Sequence, residues 1–473
     1  MVLKYGPLTL YGTATQLVAP CLALLESSYH SLFGKFGWKE SLKLINQRLC
    51  LPNGSNLTLK SPVSLWFHGA SLGETRTAVA LCAAILRRFH SENGVLHAYG
   101  NRTNFGSCLF TSANVAAQEP LERSLELLCR TSAGLEGPSG FHGRLLPYDC
   151  PNCVKRFLFR FFPRNAVFIE SELWPVLLRE SKNNGVKLFL LDGRISPASK
   201  ERWTCTKFGR SLLKTTLNSF DFIGARNEEE AFFFKQFGCS NVKVIPPLKT
   251  LLPLGPERAS LSCLTGLGPS WMGISTHEPE EFSLLRIHKR LSSTWRAGRK
   301  PLLILAPRHI LRTRTIFDAA QALGFKSSEI ALYSQYSYSE NIRLLIIDSY
   351  GVLSSFFQLC KIVFVGNSLF PPGGGHNIAE ALHYKCVVLH GNYIKNFTDT
   401  FRYLNSLHFP NAVTCTVQDE ENLFERVKYF LLHPDKVCEL GEVGYKCVKE
   451  AERLVVSSVL HELMCRPSVS RSA

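Results

Sequence analysis

Three kinds of segment in this 473-residue chain carry side chains able to do chemistry: carboxylates just after apolar runs, cations in the same position, and a glycine-rich turn. The turn is Gly373-Gly374-Gly375-His376-Asn377-Ile378-Ala379-Glu380, which follows an apolar run at 362–365 and Gly366-Asn367-Ser368. Glycines let the backbone approach a ligand closely, and a helix beginning near Asn377 would aim free amide N–H groups and a partial positive charge at a phosphate. Glu380, one turn further on, would accept hydrogen bonds from ribose hydroxyls. The pattern reads as the floor of a sugar-nucleotide site, although an ordinary exposed loop has the same composition.

The carboxylates follow two other apolar runs. Residues 64–67 lead into His68-Gly69-Ala70-Ser71-Leu72-Gly73-Glu74, and open α/β sheets bind ligands at the carboxyl ends of their strands. Glu74 there suits a general base for an acceptor hydroxyl; a first-turn Glu favoured by the helix dipole is the plainer alternative. Glu170 and Glu172 follow the run 166–169; a buried acid needs a partner or a task, which is expected of Glu170, while Glu172 suits a cap for the next helix, and a structural ion pair fits either. Lys249 and Pro307-Arg308-His309 follow further runs. The planar guanidinium of Arg308 suits bidentate phosphate contact, whereas solvated surface cations would look the same. Ser275-Thr276-His277-Glu278 offers hydroxyl and imidazole groups, and the turn holding Tyr350, Gly351 and Val352 offers backbone amides to a nucleobase.

The elements that must position these groups are short apolar runs alternating with amphipathic segments, the signature of βαβ units and a parallel sheet. Ten strands are expected, at 64–67, 166–169, 187–191, 222–224, 242–245, 271–274, 302–305, 343–347, 362–365 and 387–389. They form two sets, joined by a hinge at 251–256. Residues 95–143 lose the pattern and are expected to be in part a long surface excursion. The last 35 residues are expected to be helical to about Cys465, with a frayed tail.

A chain of this length exceeds one ordinary core. The formal charge of +16 calls for an anionic partner. No nucleic-acid motif accompanies the scattered Lys and Arg, so a membrane surface or a phosphorylated substrate fits better. Residues 6–25 carry no charge but are interrupted by Thr, Gln and Pro; a shallow membrane anchor and a buried N-terminal helix are both consistent. Residues 154–164 mix Phe with Lys and Arg, as would an interfacial helix or a helix packing Phe157 and Phe161 inward. The 16 cysteines are scattered as in a protein with reduced thiols. Cys150-Pro151-Asn152-Cys153 has no second pair at zinc spacing, so neither metal nor redox chemistry is expected of it.

Taken in order, His68 to Glu74, Glu170-Ser-Glu-Leu-Trp-Pro175, Ser275-Thr-His-Glu278 with Glu280-Glu281, Pro307-Arg-His309, Gly374-Gly-His-Asn377 with Glu380, and Asn396-Phe397 resemble the 3-deoxy-D-manno-octulosonic acid (Kdo) transferases of lipopolysaccharide core synthesis. The resemblance spans about residues 60–440 outside the excursion. It implies an α/β, GT-B architecture of two Rossmann-like doubly wound domains facing each other across a cleft. These are an acceptor-binding domain at 31–252 and a CMP-sugar-binding domain at 265–440, flanked by a possible membrane-associating segment at 1–30 and a C-terminal helix and tail at 441–473.

The implied activity is inverting transfer of Kdo from CMP-Kdo to a hydroxyl of the lipid A precursor at an anionic membrane surface facing the cytoplasm, inner in a bacterium or organellar in a plant. Glu74 falls on the family's general base, and Glu170 and Lys249 on its transition-state-stabilising positions. Pro307, Arg308, Tyr350, Gly351, Val352, Asn377, Ile378, Ala379 and Glu380 fall on its CMP-contacting segments. No cofactor and no metal are expected, in keeping with the lack of an Asp-x-Asp motif; no nucleic-acid partner is expected, and oligomeric state is left open. Departures from the family pattern are Pro246-Pro247, Pro279, Asp192-Gly193-Arg194 and Val352. The alternatives are a GT-B transferase using a different nucleotide sugar, or a non-catalytic basic lipid-binding module on a degenerate transferase fold.

Overall fold

The computed structural model describes residues 7–33, 38–51, 62–91, 107–132, 140–254, 268–335, 340–407 and 413–464. Two compact units divide the chain, one of residues 1–248 with 454–473 and the other of residues 249–453. In the first unit β1 (Leu65–His68), β2 (Cys108–Ser112), β3 (Phe141–Leu145), β4 (Asn165–Ile169), β5 (Lys187–Gly193), β6 (Phe222–Ala225) and β7 (Val242–Val244) form one parallel sheet in the order β3-β2-β1-β4-β5-β6-β7. In the second, β8 (Ser270–Thr276), β9 (Leu302–Pro307), β10 (Ile330–Leu332), β11 (Leu344–Ile346), β12 (Ile362–Val365), β13 (Val387–His390) and β14 (Cys415–Thr416) are again parallel, ordered β10-β11-β9-β8-β12-β13-β14.

Both sheets are doubly wound. The chain moves outward from β1 to β3 and then returns to lay β4 on the other side of β1, so the strand order reverses between β1 and β4. The corresponding reversal lies between β8 and β12. Parallel strands place all their carboxyl ends on one edge, and at a reversal the flanking connections diverge and leave a crevice there. Helices on both faces make the central strands apolar throughout: Trp66, Phe67, Phe168, Trp271 and Phe364 are all fully buried.

All ten expected strands are present. Four were not foreseen. β10 and β14 are edge strands of three and two residues, and β3 is a half-buried edge reading Phe-His-Gly-Arg-Leu. Internal β2, Cys-Leu-Phe-Thr-Ser, is short and ends in polar residues, although every one of its residues is buried. Within 95–143, part of which was expected to be an excursion, the described residues form β2, the helix Gln118–Thr131 and the start of β3, while 95–106 and 133–139 lie outside the described residues. Leu121, Leu125 and Leu128 hold that helix on the unit.

The N-terminal segment is a helix, Pro7–Phe33, that buries Leu8 and Ala19 and leaves Leu17 74% exposed. Among the described residues no helix is long and apolar enough to cross a membrane. The helix Pro151–Phe161 packs Phe157 and Phe161 inward, as one of its two readings proposed, and presents Phe159 outward at 76% exposure. The last helix, Pro434–Met464, begins in the second unit and ends in the first.

Candidate active site

In the first unit, β1 delivers His68 to the carboxyl edge and the chain turns at Gly69 into the helix Leu72–Ser91. A Cβ on residue 69 would stand 2.7 Å from Cβ of Glu74 and 2.9 Å from the Thr75 amide nitrogen, so only glycine allows the helix to start this close to the strand. Ser71 and Glu74 form a reciprocal cap. The Glu74 amide donates to Ser71 Oγ at 3.2 Å, the hydroxyl donates to Glu74 Oε1 at 2.9 Å, and the Ala70 amide donates to Oε2 at 2.7 Å. Glu74 is therefore the helix-capping acid of the plainer reading. It is also half-buried, with its pKa held above the ordinary carboxylate value by burial and by the charge of Glu172, against the hydrogen bond from Ser71.

Across the strand reversal, β4 ends in Glu170, whose φ of 65° is strained for a residue with a side chain. Its carboxylate meets Arg194 at 2.7 Å and Arg226 at 3.1 Å, while Arg226 also grips Asp192 at 2.8 and 3.0 Å. Burial opposes the charge on Arg226, but Asp192 and Glu170 raise its pKa above the ordinary value. Two carboxylates balance two guanidiniums here. Asp192, a departure from the family pattern, is thereby neutralised, and Glu170 is a member of an ion-pair network.

Glu172 does not cap the next helix, whose first amides, those of Val176 and Leu177, donate to Asp149. One Glu172 carboxylate oxygen accepts from His68 Nε2 at 2.9 Å and from the Trp174 indole at 2.7 Å. That arrangement fixes a proton on His68 Nε2. On its other side His68 Nδ1 lies 2.9 Å from the Thr111 hydroxyl. Threonine on the unforeseen strand β2 completes this buried chain, and sequence spacing gives no sign of it.

In the second unit, Glu280 organises the reversal between β8 and β12. It is buried, and its two oxygens accept from the amides of His277 (3.1 Å), Asn367 (2.6 Å), Ser368 (2.8 Å) and Leu369 (2.9 Å). Both strand ends hold left-handed residues, Ser275 (φ 51°) and Asn367 (φ 55°). At Gly366 a Cβ would lie 2.6 Å from the Thr276 Cα. Glu281 behind it is tied to Arg312 at 2.8 Å.

This turn gathers three imidazoles from the connections that follow β8, β9 and β12. His277 and His376 stack with ring planes 14° apart and Nε2 atoms 3.2 Å apart, and His309 meets His277 edge-on. Burial, then the neighbouring His277 and Arg308, push His376 down to about 4, and burial also lowers His277. Both rings are neutral at pH 7, one donating to the other, with the exposed Arg308 alongside. An arriving anion would meet groups able to gain charge. Tyr350, Gly351 and Val352 precede the helix Leu353–Leu359, with Tyr350 and Gly351 exposed.

The glycine turn differs from expectation. The amides of Gly374 and Gly375 donate to the Asn367 carbonyl at 2.9 and 2.6 Å. The helix starts only at Ala379, is five residues long, and has its first amide capped by Asn377 Oδ1 at 3.0 Å. The amides of Gly374, Gly375 and Ala379 thus serve the loop's own geometry, and the helix begins two residues after the expected start at Asn377; Ile378 and Ala379 are buried. Lys249 stands at the start of the second unit. Its carbonyl accepts from Asn377 Nδ2 at 3.1 Å, and its ammonium sits 4.8 Å from the Phe397 ring centroid. Lys249, Asn377 and Phe397, far apart in sequence, are thus neighbours. Among the described residues no group of three or more His, Cys, Asp or Glu is placed to hold a metal ion.

Residues 37–252 match the family model described as "3-Deoxy-D-manno-octulosonic-acid transferase (kdotransferase)". A 3-deoxy-D-manno-octulosonic acid transferase of Haemophilus influenzae is 26% identical over 403 residues, 84% of this chain and 85% of that protein. The probable mitochondrial 3-deoxy-D-manno-octulosonic acid transferase of Arabidopsis thaliana is 24% identical over 84% of each chain. Among solved structures, the UDP-GlcNAc 2-epimerase of Neisseria meningitidis shares the fold, with a TM-score of 0.53 at 11% identity over 84% of this chain and 99% of that one.

Proposed function

Because the chain belongs to the Kdo transferase family and has the GT-B fold, we propose that it transfers Kdo from CMP-Kdo to a hydroxyl of a lipid A precursor, with inversion at the anomeric carbon and without a metal. The observation that carries this reading is Glu74, a half-buried carboxylate at the strand reversal of the first sheet with its pKa raised. A base whose pKa approaches the working pH is the more effective proton acceptor. As the acceptor oxygen attacks, its proton passes to Glu74 and the bond to the CMP phosphate oxygen breaks, with the electron pair leaving on CMP.

The residues suited to that departing charge belong to the second unit: Arg308 after β9, Lys249 beside Asn377, and the His277–His376 pair. The exposed Tyr350-Gly351 turn suits the base, and Glu380 the ribose. Glu170 stabilises the transition state indirectly, by holding Arg194 and Arg226 in place. Anionic membrane surface is the proposed setting, given the net charge of +16.

Donor competition tests the reading. CMP should displace labelled CMP-Kdo far better than UDP or GDP, and incubation with CMP-Kdo and a tetra-acylated lipid A precursor should yield Kdo-bearing lipid. Preferential competition by UDP would assign a different donor, and a folded protein silent toward CMP-Kdo would indicate a binding module.

A further inference from the structure

Cys150-Pro151-Asn152-Cys153, read from sequence as chemically idle, lies in a different setting once folded. It opens the crossover helix between β3 and β4. Cys150 is the extended N-cap residue, Pro151 the first helical residue, and Cys153 stands at the third helical position. A side chain at the N-cap faces one at that third position, the geometry a capping box uses. The two thiols accordingly pack in one cluster with Ala19, beside Leu49 and Tyr148. Helix N-termini and nearby cations favour thiolates, and the Arg156 guanidinium donates to Cys153 Sγ at 3.6 Å.

We propose that Cys150 and Cys153 form a redox-active dithiol site that reacts by thiol–disulfide exchange with a low-molecular-weight disulfide, and that the N-terminal helix Pro7–Phe33 is its cover. Cys150 as thiolate attacks one sulfur of the disulfide RSSR; the S–S bond breaks and RS⁻ leaves with the electron pair and takes up a proton. Cys153, giving up its proton, then attacks the Cys150 sulfur of the mixed disulfide and expels the second RS⁻. Two protein thiols are oxidised to one disulfide while RSSR is reduced to two RSH.

The roles of the two sulfurs follow from their surroundings. The Cys153 thiol, then its backbone amide and the charge of Arg156, hold Cys150 down at about 7 against burial, whereas Cys153 is raised. A thiol titrating near ambient pH is the best attacking nucleophile. Access is the controlled step, since the two residues are only 1% and 2% exposed. Gln16 Oε1 accepts from the Asn152 amide at 2.9 Å, Ala19 rests on the thiols, and the Tyr11 hydroxyl bonds to Asp149. Asp149 also caps the helix Pro175–Asn183 through the Leu177 amide at 2.7 Å. The dithiol therefore lies one step from the Glu172–Trp174 segment of the candidate site.

The full-length protein is equilibrated across ratios of oxidised to reduced glutathione, alkylated under denaturing conditions and mapped by mass spectrometry. The peptide holding Cys150 and Cys153 should lose two hydrogens at a ratio that leaves the other buried cysteines, such as Cys82, Cys360 and Cys386, alkylated. Oxidation of those residues at the same ratio or earlier would overturn the proposal. C153S should accumulate one glutathione on Cys150, and C150S none on Cys153; absence of the adduct from folded C153S would equally overturn it. Q16A should speed oxidation about fivefold without changing the equilibrium ratio. An unchanged rate would remove the helix from the role of cover.

Discussion

Glu74 caps a helix, and in the proposed reaction the same carboxylate takes the proton of the attacking hydroxyl. E74Q keeps an oxygen for the Ala70 amide and loses the base, so turnover should fall about 10²- to 10⁴-fold while the protein remains folded. Burial, then the charge of Glu172, set the direction of the pH dependence. The acidic limb of kcat/KM should lie above the ordinary carboxylate value of about 4.3; a limb at that value would place the base on another residue. The same displacement acts on stability. A folded-state pKa above the unfolded one gives a contribution fully present below the ordinary value and lost as pH rises through the raised one. E74Q escapes that loss, so its urea midpoint at neutral pH should not fall below that of the native sequence.

At the scale of elements, the decisive feature in each unit is the pair of turns at the strand reversal, and each pair is fastened by a buried acid. Glu280 takes four backbone amides from the ends of β8 and β12. A glutamine there turns an N–H₂ group toward two of those donors, at a cost of about 1–3 kcal/mol. In E280Q, amide hydrogen exchange at residues 366–369 should rise about tenfold while β1 to β7 keep native protection. Equal loosening of both sheets would show that Glu280 supports the whole fold rather than one turn. The left-handed residues Glu170, Ser275 and Asn367 lie at the same strand ends, so strain is concentrated where ligands bind in such sheets.

For the whole molecule, charge and surface chemistry set the partners. The pair Phe159 and Phe162, rings 5.4 Å apart, projects among the exposed Lys155, Arg156 and Arg164. This patch lies where the helix Pro151–Phe161 ends and β4 begins, at the amino edge of the sheet, opposite the edge that carries Glu74. Flotation with anionic vesicles should be strong at low salt and fade toward 1 M, where screening shortens to about 3 Å, with little binding to neutral vesicles at any salt. Salt-independent binding would assign attachment to apolar surface, such as Leu17. Transfer should persist in EDTA, because guanidinium, ammonium and imidazole groups are available to the leaving phosphate; strict dependence on an added divalent ion would refute metal-free departure.

The expected strands, all but the edge strand β7 buried along most of their length, their division into two sheets, and the motif residues at their carboxyl ends were legible in the sequence, because buried strands must be largely apolar and ligand-facing turns must be polar or glycine-rich. The short edges β10 and β14 were not, since half-covered strands need no such run. Partners were beyond reach altogether. Nothing in the order of residues joins Glu172 to His68, Glu280 to the amides of 367–369, Lys249 to Asn377, or the two thiols to the helix that covers them. Those pairings arise when segments distant in sequence are brought to one sheet edge, where burial makes an unpaired charge or amide costly.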